Sequence, residues 1–288
     1  MVSSNMLKKK WEHFSAVDFI LDNLVSIIFL VISFLAIPVS GLSAHHIIAE
    51  ILTRIGRNSF LVFALILPIM AGMGINFGMV LGAMAGQIGL IFAMDWSIGG
   101  IYGLVFAAGI GMPLSILLGI VAGSVLNRAR GREMVTSYIL GFFFNGIYQF
   151  FVLYILGSVI PMHNKAIMLS RGYGVRNTLE LAPVRQMLDT AIPLTIAGFK
   201  IPILSYLIII ALCFFIVWFR KTKLGQDMRA IGQNQAVSLA SGIAVERTRI
   251  ISIVISTVLA CIGQIIFLQN MGNMSTYNAH DQTGFFAA

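Results

Sequence analysis

A chain of 288 residues that is 58% hydrophobic and only 10% charged is too apolar for an ordinary soluble domain, where about half apolar and a quarter charged is usual. Its net charge of +8 is then a matter of which connections hold the Lys and Arg, and points to a lipid bilayer with basic loops on one side, not to nucleic acid. The two cysteines, Cys213 and Cys261, both fall in apolar runs, which predicts inert buried thiols over a disulfide or a metal pair.

Near the start of the chain stands "MLKKKWEHFSAVDF" (Met6–Phe19), whose polar and acidic residues interrupt any signal-like core, so no cleavable leader is expected. Residues 1–20 read as a cytoplasmic and interfacial segment, with an amphipathic helix over Trp11–Phe19. Apolar windows follow at about 21–40, 59–73, 77–94, 98–126, 134–160, 201–219 and 248–268. A hydrocarbon core of roughly 30 Å needs about 20 apolar residues per helix. The expected fold is therefore all-α, one polytopic helical membrane domain over 21–288, with the connections 127–133 and 220–247 on one side and a long mixed-charge loop, 161–200, on the other. His45 and His46 beside Glu50 are expected in an interfacial loop, as solvated side chains.

Lys8, Lys9, Lys10, Arg128, Arg130, Arg132, Arg220, Lys221, Lys223, Arg229, Arg247 and Arg249 are twelve of the 19 basic residues, and an N-terminus in the cytoplasm places all of them on that side. The inside-positive rule selects that orientation. It requires 59–73 and 77–94 to be separate crossings. Small residues recur every four positions in two rows, Gly74, Gly78, Gly82, Gly86 and Gly99, Gly103, Ala107, Gly111, Ser115, Gly119, Gly123. Such ridges let helix backbones approach closely. Pro68 and Pro113 predict kinks. The stretch "GMGIN" (Gly72–Asn76) predicts a helix break, which is tolerated at membrane depth only where it is buried in protein or lines a cavity.

No Asp, Glu, Lys, Arg or His falls in the middle of these windows. That argues against a carrier coupled through carboxylates, and against an enzyme with paired acids or a metal site. No catalytic or metal-binding residues are expected. The phosphate-binding pattern G-x-x-x-x-G-K-[ST] is also missing, since Gly-Lys occurs nowhere, so no nucleotide cofactor is expected on this chain by that route.

Between the last two windows lies "LGQDMRAIGQNQAVSLASGIAVERTR" (Leu224–Arg249). Asn234 suits an N-cap and Gly242 the left-handed position after a helix, with Ile243 as the hydrophobic contact of a Schellman end. Ala236, Leu239, Ala240 and Ile243 then share one slim face of a short helix. Such a helix can enter a cleft in a partner; lying flat on the membrane is the plainer alternative. Within the window 134–160, Asn145 and Gln149 stand four residues apart beside Phe142 and Tyr148, an amide pair among rings that suits a neutral polyol or nucleoside or, more plainly, ties two helices together. Asn76 and Gln87 are further polar candidates.

The stretch Gly225–Ile265 resembles the cytoplasmic-loop signature of ABC importer permeases of the ribose, simple-sugar and branched-chain amino acid family, roughly G-x-x-x-R-A-x-G-x-N-x-x-A-A-x-x-x-G-I. Gly225, Arg229, Ala230, Gly232, Asn234, Gly242 and Ile243 match it, with Val237 and Ser238 where alanines are common. Asn58–Gly86 is similar to the family's G-I-D-L-S-V-G segment, with Asn76 in place of the acid and Phe77 after it. Gly131–Phe151 resembles N-E-V-I-S-T-I-M-L-N of the simple-sugar and nucleoside branch. The resemblance implies an inner-membrane, multi-pass transport subunit that is not itself an enzyme. It implies ATP hydrolysis by separate ABC ATPase subunits, a substrate-binding protein outside, and a second permease copy or paralogue. The residues it implies for ATPase coupling are Gly225, Arg229, Ala230, Gly232, Asn234, Ala236, Leu239, Ala240, Gly242 and Ile243, and for a substrate path Gly74, Asn76, Gly78, Phe142, Asn145, Tyr148 and Gln149. It further implies C-terminal spans beyond the apolar start at Thr283. A secondary carrier or facilitative channel for a small neutral solute is the alternative.

Overall fold

The computed structural model describes residues 20, 21, 23–190, 193–196, 199–281 and 283. The expected helix over Trp11–Phe19 and the lysines at 8–10 lie outside the described residues. The chain divides into two compact units, residues 1–51 and 52–288. In the first, α1 (Leu24–Ser40) is an uninterrupted apolar helix closed by Gly41 in the left-handed region, φ 66°. After it α2 (Ala44–Met70) begins and runs on into the second unit. His45, His46 and Glu50 therefore sit on a helix, not in the expected loop. Arg54 and Arg57 also fall inside α2, a helix far longer than the apolar window 59–73 suggested.

The second unit is an all-α membrane fold. Four described helices are long and apolar enough to span a bilayer: α2, α4 (Gly100–Arg128), α5 (Glu133–Phe150, extended by a π-turn to Ile155) and α10 (Val245–Met271). A fifth candidate is the pair α7 (Ile203–Phe219) and α8 (Lys223–Gln233), bent by 75° at its break. α3 (Met79–Asp95) is a shorter apolar helix, and α9 (Gln235–Ala240) a short polar one. α6 (Met187–Thr190) is one turn. The two windows 59–73 and 77–94 thus become separate helices, α2 and α3. α4 continues as helix through Pro113, and α2 through Pro68.

The core is the close packing of α3, α4 and α10, and Gly82 and Gly86 of one small-residue row and Gly111, Gly119 and Gly123 of the other meet in it. A Cβ added at Gly82 would stand 2.0 Å from the Thr257 carbonyl oxygen, and one at Gly86 2.7 Å from that of Cys261. A Cβ at Gly119 would meet the Thr257 hydroxyl at 2.3 Å, so α3 and α4 clasp α10 at the same turn. Where lipid is as apolar as the side chains, such backbone approach supplies the packing energy that the hydrophobic effect cannot. Thr257 Oγ1 donates to Val254 O at 2.9 Å within α10 and lies 3.2 Å from Ser115 O across the contact.

The break between α2 and α3 falls where "GMGIN" predicts it, with Gly72 and Gly74 at φ 71° and 67°. Its freed amides are satisfied inside the protein: Phe77 N donates to Ser137 Oγ at 3.1 Å and Gly78 N to Asn76 Oδ1 at 2.9 Å. This is the condition for irregular backbone at membrane depth.

The long connection is folded, not merely polar. Val175, Leu179, Leu181 and Val184 are buried in the same core cluster as α3 and α10. The strand β1 (Thr178–Glu180) pairs antiparallel with β4 (Asn273–Ser275), Leu179 opposite Met274. β2 (Pro193–Ile196) pairs antiparallel with β3 (Phe199–Pro202). The buried Asp95 carboxylate, at the end of α3, accepts from the backbone amides of His163 (2.7 Å) and Asn164 (2.9 Å).

Candidate functional site

Two places gather the predicted residues. At one end of the bundle, where α4 leads into α5 and α8–α9 leads into α10, lies the face carrying the motif. Thr222 caps α8, accepting from Gly225 N at 3.3 Å. Gly225 and Gly232 are there for close approach: a Cβ at Gly225 would lie 2.2 Å from Phe219 O, and one at Gly232 2.3 Å from Met70 O. They hold the bend after α7 and seat α8 against the end of α2. Ala230 is half-buried on α8, while Arg229 is exposed.

α9 forms as its termini predict. Asn234 Oδ1 accepts from Val237 N at 3.1 Å. Gly242, at φ 80°, donates to Leu239 O, and Ile243 N donates to Ser238 O, both at 3.1 Å. These are the two hydrogen bonds of a Schellman end. Ser238 is buried beneath the helix, and Ala236, Leu239 and Ala240 are exposed. Ala236, Leu239 and Ile243 line an open groove of about 680 Å³, walled by Arg130, Glu246 and Arg247. Arg130 and Glu246 pair at 3.0 Å across its rim. Arg130 was expected on this side with the loop charges, but not its pairing with Glu246, which the packing of the short 127–133 turn beside α10 brings about. Arg249, counted with the loop charges, is instead buried and ion-paired with Glu133 of α5.

The second place is inside the bundle. Asn145 and Gln149 of α5 meet as their spacing requires, Gln149 Nε2 donating to Asn145 Oδ1 at 3.2 Å. After β4 the chain turns back into the protein, and His280 lies fully buried with Nδ1 2.8 Å from Gln87 Oε1 and Nε2 3.2 Å from Asn145 Oδ1. Tyr148 stacks edge-on to the His280 ring at 4.7 Å and donates its hydroxyl to Thr276 O at 2.8 Å. Asn145 Nδ2 also donates to Asp281 Oδ1 at 3.4 Å. Thr283 Oγ1 donates to Gln264 Oε1 at 2.9 Å, while Gln264 Nε2 donates to Ala279 O at 3.2 Å.

No window carries an ionisable group in its middle, yet the returning segment, outside every window, places His280 and Asp281 against α3 and α5. Arg57, inside α2, is likewise held in the structure, donating to Asn270 Oδ1 at 3.0 Å with its guanidinium over the Phe267 ring. Further out, Tyr277 donates to Val175 O at 2.9 Å, and burial pushes its phenol above the usual tyrosine range, against the opposing charge of Arg171.

The remaining path candidates separate. Phe142 lies in an edge-to-face row with Tyr138 (4.7 Å), which meets Phe77 at 5.7 Å. Asn76 is buried in the helix break between Gly74 and Gly78, where its Nδ2 has no hydrogen-bond partner among the described residues. Gly74 has open space around it. Among the described residues no three His, Cys, Asp or Glu side chains are grouped to hold a metal.

A family model described as the permease component of the branched-chain amino acid transport system matches residues 47–288. The chain is similar to the autoinducer 2 import system permease protein LsrD of Escherichia coli (strain K12) and to that of Shigella flexneri. Each is 24% identical over 177 residues, covering 62% of this chain and 46% of the relative. The chain spans about half the length of these curated relatives. No solved structure matches it. The family match over most of the chain, on a bundle with the motif helix exposed at one end, places this protein in the family of permease components of branched-chain amino acid transport systems.

Proposed function

We propose that this chain is the membrane-spanning permease subunit of an ATP-driven ABC importer for a small polar solute such as a sugar or nucleoside. Its N-terminus and the α8–α9 face lie in the cytoplasm, following the twelve basic residues named above. ATP is bound and hydrolysed by separate ATPase subunits, a substrate-binding protein delivers cargo to the opposite face, and a second permease copy or paralogue completes the path. The permease is not itself an enzyme. Similarity to permeases named for an autoinducer 2 import system supports import of a small solute.

One observation carries this reading: α9 is capped at both ends, yet keeps Ala236 and Leu239 exposed beside a groove walled by Arg130, Glu246 and Arg247. A rigid slim helix exposing apolar side chains, with charges on its rim, fits a cleft in a partner protein. Arg229, exposed on α8, offers a further charge for acidic groups of the ATPase. Asn145, Tyr148 and Gln149, with Phe142 and the break at Gly74, Asn76 and Gly78, supply the solute path.

The test is co-purification of the native-length complex, wild type against Gly242→Trp combined with Ala236→Glu. An ATPase subunit that accompanies the wild type and is lost from the variant, while the membrane protein stays folded, is the expected result. If no ATPase accompanies either form, a secondary carrier or channel becomes the better reading.

A further inference from the structure

Resting on the permease reading above, we infer that the hollow between the start of α3 and α5 is a solute-binding subsite, for a compact uncharged polyhydroxyl compound, with Asp281 as its hydroxyl acceptor. The hollow, of about 130 Å³, is lined by Phe77, Val80, Tyr138, Gly141, Phe142 and Asp281. Gly141 lies eight residues into α5, roughly 12 Å along the helix axis, so this is not the rim of the bundle. Three of its walls are the edge-to-face rings of Phe77, Tyr138 and Phe142.

Asp281 needs an explanation. A carboxylate at membrane depth is retained where a polar species has to be handled. Here both of its side-chain contacts use one oxygen: Asn145 Nδ2 reaches Oδ1 at 3.4 Å and His280 Nε2 lies 3.3 Å from the same atom. Among the described residues Oδ2 has no hydrogen-bond partner, and the carboxylate lines the hollow. An ionised carboxylate only accepts, and adjacent hydroxyls are the donors that fit it. Aromatic walls take the C–H faces of a small carbon skeleton, with a few polar groups fixing its orientation. An anionic solute is repelled by Asp281.

Size sets the class. About 130 Å³ is close to the cavity of about 150 Å³ that takes up a benzene ring, room for an open chain or single small ring of four or five carbons. A nucleoside, with a base as well as a sugar, exceeds it. An organic cation would also match carboxylate and rings, so it is an outcome of the test.

The experiment needs no ATPase, so its failure is separate from failure of the permease reading, which co-purification tests. Gly141→Cys, which keeps all three rings and adds its side chain where nothing among the described residues lies within 4 Å, is made in a background of Cys213→Ser and Cys261→Ala, and labelled with a charged methanethiosulfonate in detergent. Erythritol, ribose, uridine and choline are the probes, and Leu239→Cys on α9 is the reporter outside the hollow. Erythritol and ribose at about twice their dissociation constants are expected to slow labelling about threefold. Uridine and choline are expected not to slow it. Asp281→Asn, which keeps the size of the side chain, is expected to abolish the protection, judged against that variant's own unprotected rate. Protection by neither polyol, equal protection in Asp281→Asn, or protection by choline or uridine as strong as by ribose would overturn the assignment. Slowing at Leu239→Cys as well would overturn it too, since it marks a global effect.

Discussion

The imidazole of His280 stands 2.8 Å from the side-chain oxygen of Gln87, 193 positions earlier in the chain. One residue belongs to a polar connection and the other to the middle of the apolar helix α3. Their meeting defines the polar interior of the bundle, because Asn145 occupies the other ring nitrogen and Tyr148 closes the ring edge.

Removing the imidazole leaves buried amides on both sides. His280→Leu should cost about 1–3 kcal/mol, the desolvation penalty of groups that lose a partner. In His280→Leu with Gln87→Leu, part of that loss should return, because neither group then needs a partner. Reversible unfolding in mixed micelles, read as a double-mutant cycle, measures the coupling. Strictly additive losses would mean that the two side chains do not act as a pair.

The two ion pairs near the α9 groove should differ widely. Arg249 and Glu133 are buried, at 2% and 13% side-chain exposure, whereas Arg130 and Glu246 are at 53% and 71%. Glu133→Ala strands a buried guanidinium and should cost about 3–5 kcal/mol. Glu246→Ala should cost about 1 kcal/mol or less. Thermal unfolding of the two variants in detergent ranks them, and equal shifts would count against burial as the cause.

At Gly82 an added methyl meets backbone, so Gly82→Ala should destabilise by about 1–3 kcal/mol through overpacking. Gly109, on the same bundle, has nothing within 4 Å of the added Cβ. There Gly109→Ala should be neutral or stabilise by up to about 1 kcal/mol through helix propensity. The pair of melting temperatures decides whether the small residues are a contact ridge or mere composition.

Asp95→Ala removes the acceptor of two loop amides, His163 and Asn164. The connection should loosen, and trypsin should cut at Lys165, Arg171 and Arg176 several times faster than in the wild type. Unchanged cleavage would show that burial of Val175 and Leu179 alone holds the loop.

Much of this was legible in advance. The helix α9 could be placed because its signals are local: an Asn whose side chain reaches an amide three residues on, and a Gly whose missing Cβ permits φ 80°. The break at Gly72–Gly74 is of the same kind. The Asn145–Gln149 pair follows from helical spacing alone. The missed contacts share a different character. Arg130, Glu246, His280 and Asp281 act through partners far away in sequence, and no periodicity encodes where a connection returns. "NAHD" (Asn278–Asp281) reads as an ordinary turn, and its one hint is the apolar start a few residues on, read at Thr283.

Composition and periodicity by themselves determined a helical membrane protein, its cap-defined helix and its helix break, because burial in lipid and backbone capping are set by neighbouring residues. The tertiary structure alone decided which small-residue rows clasp α10, that the long connection folds against the core, and that a carboxylate and an imidazole enter the bundle. Those depend on close packing and on pairing of buried polar groups between distant segments, which only the folded chain brings within reach.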